Sequence, residues 1–311
     1  MMHNKISNPF KPYCLIPAIV TPMKADYSID FGQMENYLKW LLKFDIGGLA
    51  VAVDTGEGPS LYKHEKLELI KFVSQVVKGR VPVVAGLQAI NTMDAVETAK
   101  QLKEVGAEVL LVFPHSSFIG YPNEDVIYYY HKALSDNVEI PLIVFNLQPA
   151  LGGVEYTIKA IEMLSSLRTV VAIKEASFDA KKFIDIVRAI KRLENRIMIL
   201  TGNDNFIYES LVLGAEGGLL GFGTIAVKEQ VEMFNLVAKK RYQEAFEIWE
   251  TILPLEEVIF APPVRNYRVR LKEALVMMGV LETAYVRPPL QPITGEEKER
   301  IRAVLKQLKL I

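Results

Sequence analysis

A single cysteine, Cys14, excludes an internal disulfide and suits a reducing cytoplasm, which is where the protein is expected. It lies in an apolar run and reads as part of the core. Nowhere do about 18 apolar residues follow one another without charge, so no membrane helix is expected. Met1 to Tyr13 likewise lacks the continuous apolar segment of an export signal. Excess charge of one sign is missing too: 36 basic residues face 37 acidic ones, with no basic stripe carrying interleaved aromatics. Nucleic acid and acidic membrane surfaces are therefore poor partners, and a small molecule is the better expectation. Histidines are few, and His3, His64 and His131 are scattered without metal-ligand spacing, so no metal is expected.

What is present is an ordinary globular composition, 50% hydrophobic and 23% charged, in which short apolar runs alternate with amphipathic segments. Strands are expected at Cys14 to Val20, Leu49 to Val53, Val81 to Gly86, Glu108 to Phe113, Pro141 to Phe145, Thr169 to Ile173, Ile197 to Leu200 and Gly217 to Leu220. Between them, helical spacing covers Phe31 to Phe44, Lys63 to Val77, Thr92 to Val105, Glu124 to Leu134, Tyr156 to Leu164, Phe178 to Arg192 and Phe206 to Leu213, with a further helix from Lys228. Eight such units over about 240 residues define an α/β chain folded as a (β/α)8 TIM barrel. A doubly wound open sheet is the runner-up, but the G-x-G-x-x-G turn it would carry after the first strand is absent. Residues 241–311 read as a C-terminal helical extension (Tyr242 to Ile252, Val264 to Met278, Glu296 to Leu308) on a barrel of residues 1–240, the two forming one catalytic unit. Its apolar faces must be covered, against the barrel wall or across a subunit contact.

The stretch Val170-Val171-Ala172-Ile173-Lys174-Glu175-Ala176-Ser177 draws most attention. Four apolar residues form a doubly buried strand that breaks into a lysine and a glutamate, at the end where barrel strands present their chemistry. Apolar walls lower a lysine's pKa, and a neutral amine attacks carbonyls to give a Schiff base. The other reading is an ion pair with Glu175 or another carboxylate of the rim.

Pro17-Ala18-Ile19-Val20-Thr21-Pro22, Asp54-Thr55-Gly56-Glu57, Ala172-Ile173-Lys174-Glu175-Ala176 and Thr201-Gly202-Asn203-Asp204 follow in order, and Val286-Arg287-Pro288-Pro289-Leu290 comes late in the chain. With these motifs the sequence resembles the dihydrodipicolinate synthase and N-acetylneuraminate lyase family. The resemblance implies a class I aldolase-type barrel, a homotetramer or homodimer, with no cofactor beyond a covalent imine on Lys174. It implies a 2-oxo acid substrate, commonly pyruvate, with Thr55 on its carboxylate. Gly56, Phe145, Gly202, Asn203, Leu219 and Ser116 are the further substrate-binding positions it suggests.

Departures from the family pattern restrict the reaction. Asp54 stands where many members have threonine, and a carboxylate beside a substrate carboxylate costs several kcal/mol at low dielectric unless protonated or paired. It is either a catalytic proton shuttle or a cap on a backbone turn; Glu57 reads as a structural acceptor. Phe145 replaces a proton-relaying tyrosine, so that task passes to Asp54, a water or another group. Ala150 replaces the arginine that clamps the second substrate of dihydrodipicolinate synthases. Pro114-His115-Ser116-Ser117 replaces an aromatic pair, leaving His115 as an acid or base or as a surface hydrogen-bonding residue. The glycine-rich turn Gly221-Phe222-Gly223-Thr224 is either a phosphate holder or room beside the lysine. The expected activity is a Schiff-base lyase acting on pyruvate or a 2-oxo-3-deoxy sugar acid, by aldol cleavage or dehydration. Its rivals are a true 4-hydroxy-tetrahydrodipicolinate synthase with a compensated relay, and a catalytically impaired member that binds a keto acid.

Overall fold

The computed structural model describes residues 5–120 and 123–311; His3 lies outside them. Eight strands alternate with eight helices. The first half holds β1 (Cys14–Pro17), α1 (Phe31–Leu41), β2 (Leu49–Val51), α2 (Lys63–Val77), β3 (Val83–Leu87), α3 (Thr92–Glu104), β4 (Val109–Val112) and α4 (Glu124–Asn137). The second holds β5 (Leu142–Leu147), α5 (Ile158–Ser165), β6 (Val170–Ala176), α6 (Ala180–Lys191), β7 (Met198–Thr201), α7 (Ile207–Leu213), β8 (Gly217–Leu220) and α8 (Val227–Ala238). The pairings between these eight strands are parallel, in the order β1-β8-β7-β6-β5-β4-β3-β2. A bridge between Ala18 and Ala50, with the Ile19 N–H donating to the Ala50 carbonyl at 2.9 Å, joins β1 to β2 and completes the barrel.

Strand alternation divides the core in two. Ile16, Val84, Leu111, Ile143, Ala172 and Leu200 fill the barrel, while Leu15, Leu110, Leu142 and Ile173 face outward against the helices. The helices start where the sequence supplies caps: Asp30, Asn91, Asn123, Thr157 and Asp179 each accept from a backbone N–H in the first turn.

Two strands end three residues away from where the apolar runs suggest, and the others end within two residues. β1 stops at Pro17, whose successors leave the β8 ladder to meet Ala50. β6 runs three residues past Ile173, because Lys174 pairs with both Phe145 and Leu200, and Ala176 with Leu147. The ladder is backbone chemistry, indifferent to a charged side chain that finds a place on either face.

The extension comprises α9 (Tyr242–Ile259), α10 (Tyr267–Met277) and α11 (Gly295–Gln307). The α9 helix continues beyond the expected Ile252, through Pro254, because Leu255 and Ile259 still have core to bury against. The α10 helix is covered on all sides: every residue from Tyr267 to Leu275 is buried, Arg268, Arg270 and Lys272 among them. Buried cations demand anions, and the barrel supplies two of the three.

Candidate active site

Lys174 lies on the inner face of β6, buried, its Nζ 4.4 Å from the centroid of the Phe145 ring. Burial lowers its pKa to about 8, with the charges of Asp204 and Asp54 pulling in the opposite direction. The ion pair with Glu175 does not form. Adjacent strand residues point to opposite faces, and Glu175 turns outward. Its Oε1 accepts from Asn146 Nδ2 (3.1 Å) and the Ser177 N–H (3.0 Å), and its Oε2 from Asn203 Nδ2 (2.6 Å). Burial raises its pKa, those donors opposing. This buried network ties β5, β6 and β7 together behind the lysine, fixing where the strand presents its amine.

Across the barrel mouth lies the loop after β2, held by the extension. The Oδ1 of Asp54 pairs with Arg268 Nη2 at 2.5 Å, its Oδ2 accepts from the Tyr267 hydroxyl at 2.7 Å, and its carbonyl accepts from Arg268 Nε at 2.8 Å. The Asp54 carboxylate is therefore not a cap on a backbone turn: both its oxygens are taken by side chains of the extension. The clash foreseen between it and a substrate carboxylate is answered by pairing. Glu57 is the structural acceptor expected of it, taking Lys272 Nζ at 2.5 Å and the Arg287 N–H at 2.8 Å. It holds a left-handed backbone (φ 58), as does Ala52 (φ 53), a conformation unfavourable for non-glycine residues that persists where surroundings over-determine it. Gly58 allows the tight return, since a Cβ there would stand 1.8 Å from the Ala52 carbonyl oxygen.

Between loop and lysine is a cavity of about 20 Å³, room for about one water, whose lining includes Asp54, Thr55, Phe145, Lys174, Gly202, Asp204 and Tyr267. Two glycines make it possible: a Cβ on Gly202 would lie 2.6 Å from Lys174 Cε, and one on Gly221 would lie 3.1 Å from Tyr267 Cε2 and 3.2 Å from Thr55 Oγ1. Small residues at Gly221 thus leave room beside the lysine. The inner cavity shares Asp54, Leu147 and Leu151 with an outer chamber of about 300 Å³, whose wall adds Arg265 and Arg268. A larger cavity of about 420 Å³, at Lys11, Asp45 and Arg80, borders the entry end of β1 rather than this mouth.

Asp54, Thr55, Phe145, Lys174 and Gly202 thus converge, whereas four other expected positions do not. Gly56 turns toward β1, its carbonyl accepting from Thr21 Oγ1 at 2.7 Å. Asn203 is occupied with Glu175 and with the Phe178 N–H at 2.7 Å. Leu219 packs in the barrel core below the site. Ser116 is exposed on a short turn whose neighbour His115 is fastened through Nε2 to the Ile90 carbonyl (3.1 Å) and through Nδ1 to Ser117 Oγ (2.8 Å). The second reading of His115, a surface hydrogen-bonding residue, describes it.

Two residues facing the lysine receive no role from the sequence, although Asp204 belongs to the motif Thr201-Gly202-Asn203-Asp204. Asp204 has its carboxyl pKa raised to about 7 by burial, with the Phe222 N–H on Oδ1 at 2.8 Å and the charge of Lys174 opposing. Tyr267 comes from a helix buried all round, whose spacing gives no hint of which side chain meets the barrel. Among the described residues no group of three His, Cys, Asp or Glu is placed to hold a metal, and no helix is long and apolar enough to cross a membrane.

The lysine's environment sets a pH dependence. Because its amine carries a proton below about pH 8, carbonyl attack should slow about tenfold per pH unit below that value and level off above it. Rapid-quench borohydride trapping of pyruvate from about pH 6 to about pH 9 measures this; a flat profile contradicts it.

A model of the dihydrodipicolinate synthetase family matches residues 11–308. The 4-hydroxy-tetrahydrodipicolinate synthase of Archaeoglobus fulgidus is 30% identical over 298 residues, 96% of this chain and 98% of that protein. Among solved structures, dihydrodipicolinate synthase from Thermotoga maritima superimposes with a TM-score of 0.89 at 26% identity, over 98% of this chain and 100% of the other. The chloride-inhibited dihydrodipicolinate synthase from Acinetobacter baumannii, complexed with pyruvate, gives 0.85 at 28% identity over 96% and 99%.

Proposed function

The chain belongs to the dihydrodipicolinate synthetase family and is an enzyme of the class I aldolase type, and from that premise we propose that Lys174 forms an imine with the 2-oxo group of pyruvate or a 2-oxo-3-deoxy sugar acid. The observation that carries the reading is the buried amine itself, beside an aromatic ring, facing a loop whose Thr55 hydroxyl lines the same cavity. In this reading the neutral amine adds to C2, the carbinolamine loses water, and the resulting iminium withdraws electrons from the neighbouring carbon. For aldol cleavage the C3–C4 bond breaks, its electrons entering the iminium to leave an enamine and an aldehyde. The enamine is protonated at C3, and water releases pyruvate. For dehydration, loss of a C3 proton precedes departure of the C4 hydroxyl. Thr55 holds the substrate carboxylate, Phe145 walls the imine, Gly202 leaves it room, and Arg268 neutralises Asp54 so that a second carboxylate can approach.

The missing arginine at position 150 favours a polyhydroxylated partner. A second reading, condensation of pyruvate with aspartate semialdehyde, is favoured by one observation. The Arg265 guanidinium reaches the loop after β5, 3.0 Å from where a Cβ on Gly152 would stand, and so offers a cation to that loop from elsewhere in the chain. Residues 1–240 and 241–311 act as one catalytic unit. Self-association into a homodimer or homotetramer belongs to the same proposal, supported by Ile90 just before α3 and Met93 in its first turn, 81% and 74% exposed.

A panel of 2-oxo-3-deoxy sugar acids, scored for pyruvate release against dehydrated product, tests the first reading beside a coupled assay with pyruvate and aspartate semialdehyde. Turnover of a sugar acid is expected. Turnover in the coupled assay alone would transfer the assignment to the second reading.

A further inference from the structure

Position 145 places an aromatic ring against the lysine but no hydroxyl, so the cavity needs its proton carrier from elsewhere. Among the described residues one phenol lines it. Tyr267 arrives from the start of α10, with its ring stacked on Phe260 at 4.9 Å between centroids and 16° between planes. Its hydroxyl donates to Asp54 Oδ2 at 2.7 Å and lies 3.3 Å from Thr55 Oγ1. A phenol joined to a carboxylate, both facing the amine that is to carry the substrate, is a two-membered proton relay.

We propose that Tyr267, backed by Asp54, moves the protons of the imine chemistry, supplying from the C-terminal extension the hydroxyl that strand β5 lacks. The proposal rests on the imine reading for Lys174. During aldol cleavage the C4 hydroxyl gives its proton to the Tyr267 oxygen while the phenol's own proton passes to Asp54 Oδ2. The oxygen's electrons become the new carbonyl, and the C3–C4 pair enters the iminium. In the return step the proton on Asp54 moves to Tyr267 as the phenol's proton passes to C3, restoring carboxylate and phenol. No phenolate accumulates at any point. That agrees with a hydroxyl whose pKa is held well above its usual value by burial and by the charge of Asp54. Arg268, on the other carboxylate oxygen, keeps Asp54 oriented with Oδ2 toward the phenol. Asp204 also lines the cavity, its Oδ1 accepting from the Phe222 N–H, but among the described residues the phenol's hydrogen-bond partners are Asp54 and Thr55.

Pyruvate alone tests this, because its imine exchanges methyl protons through the same return step. Borohydride trapping measures imine; proton NMR in deuterium oxide measures methyl exchange, expressed per trapped imine so that any unfolded fraction drops out. Tyr267→Phe is expected to trap pyruvate at equilibrium as the parent does but to exchange about 10²- to 10⁴-fold more slowly. Adding Phe145→Tyr to that variant returns a hydroxyl to the cavity from the opposite wall and should recover at least about tenfold of the loss. Exchange by Tyr267→Phe within about threefold of the parent overturns the relay and leaves the imine reading standing. Absence of any trapped imine in the parent removes both.

Discussion

Lys174→Met leaves no borohydride-trappable adduct with pyruvate and lowers turnover of any substrate found in the screen by at least about 10⁴-fold, since the step that creates the electron sink has no substitute in the cavity. The same change should raise stability. A lysine whose pKa falls on folding is destabilising wherever the folded state carries its proton. The cost is therefore fully present below about pH 8 and disappears as pH rises to the ordinary lysine value of 10.5. Methionine fills nearly the same volume beside Phe145 without that cost, so at neutral pH the variant gains up to about 3 kcal/mol. Mass analysis of the borohydride-treated peptide bearing residue 174 and a urea titration at pH 7 measure both effects. A dead enzyme that is also less stable would contradict the account of an amine under desolvation strain.

Lys272→Met acts in the opposite sense. Lys272 and Glu57 are both almost wholly buried, and burial lowers the lysine's pKa against the pull of Glu57. Removing the cation strands a carboxylate beneath the loop that carries Asp54 and Thr55, a loss of about 3–5 kcal/mol. The Tm should fall by roughly 5–10 °C. Removing both charges, Lys272→Met with Glu57→Gln, should recover most of this, because a neutral amide can still accept from the Arg287 N–H. A double variant no better than the single one would show that packing, not the unpaired charge, dominates.

The barrel is legible in the sequence because its signal is repeated: eight apolar runs with turns and caps between them leave little choice of topology. Lys174 is legible for a related reason, since a lysine that directly follows a run as apolar as Val170 to Ile173 must find an unusual environment. The other half of the site is not. Val264 to Met278 reads correctly as a helix, yet helical spacing cannot tell which barrel loop it meets, so Tyr267, Arg268 and Lys272 look like ordinary helix residues. A signal was available in charge: Arg268, Arg270 and Lys272 recur at every second position of a helix with no polar face, and cations so placed require buried anions. Asp54 and Glu57, in a loop expected to receive an anion, required cations in turn. Matching the two demands pairs the loop with α10. Gly56, Asn203, Leu219 and Ser116 are positions that the family resemblance suggests, and a shared place along the chain does not fix which way a residue's polar groups turn.

The partners Asp54 with Arg268 and Glu57 with Lys272 stand 214 and 215 residues apart in the chain. During synthesis the eight strands can therefore emerge and pair while two carboxylates on the second loop still await their counter-charges. A ribosome stalled after the eighth strand would hold a barrel whose second loop still lacks the cations of α10.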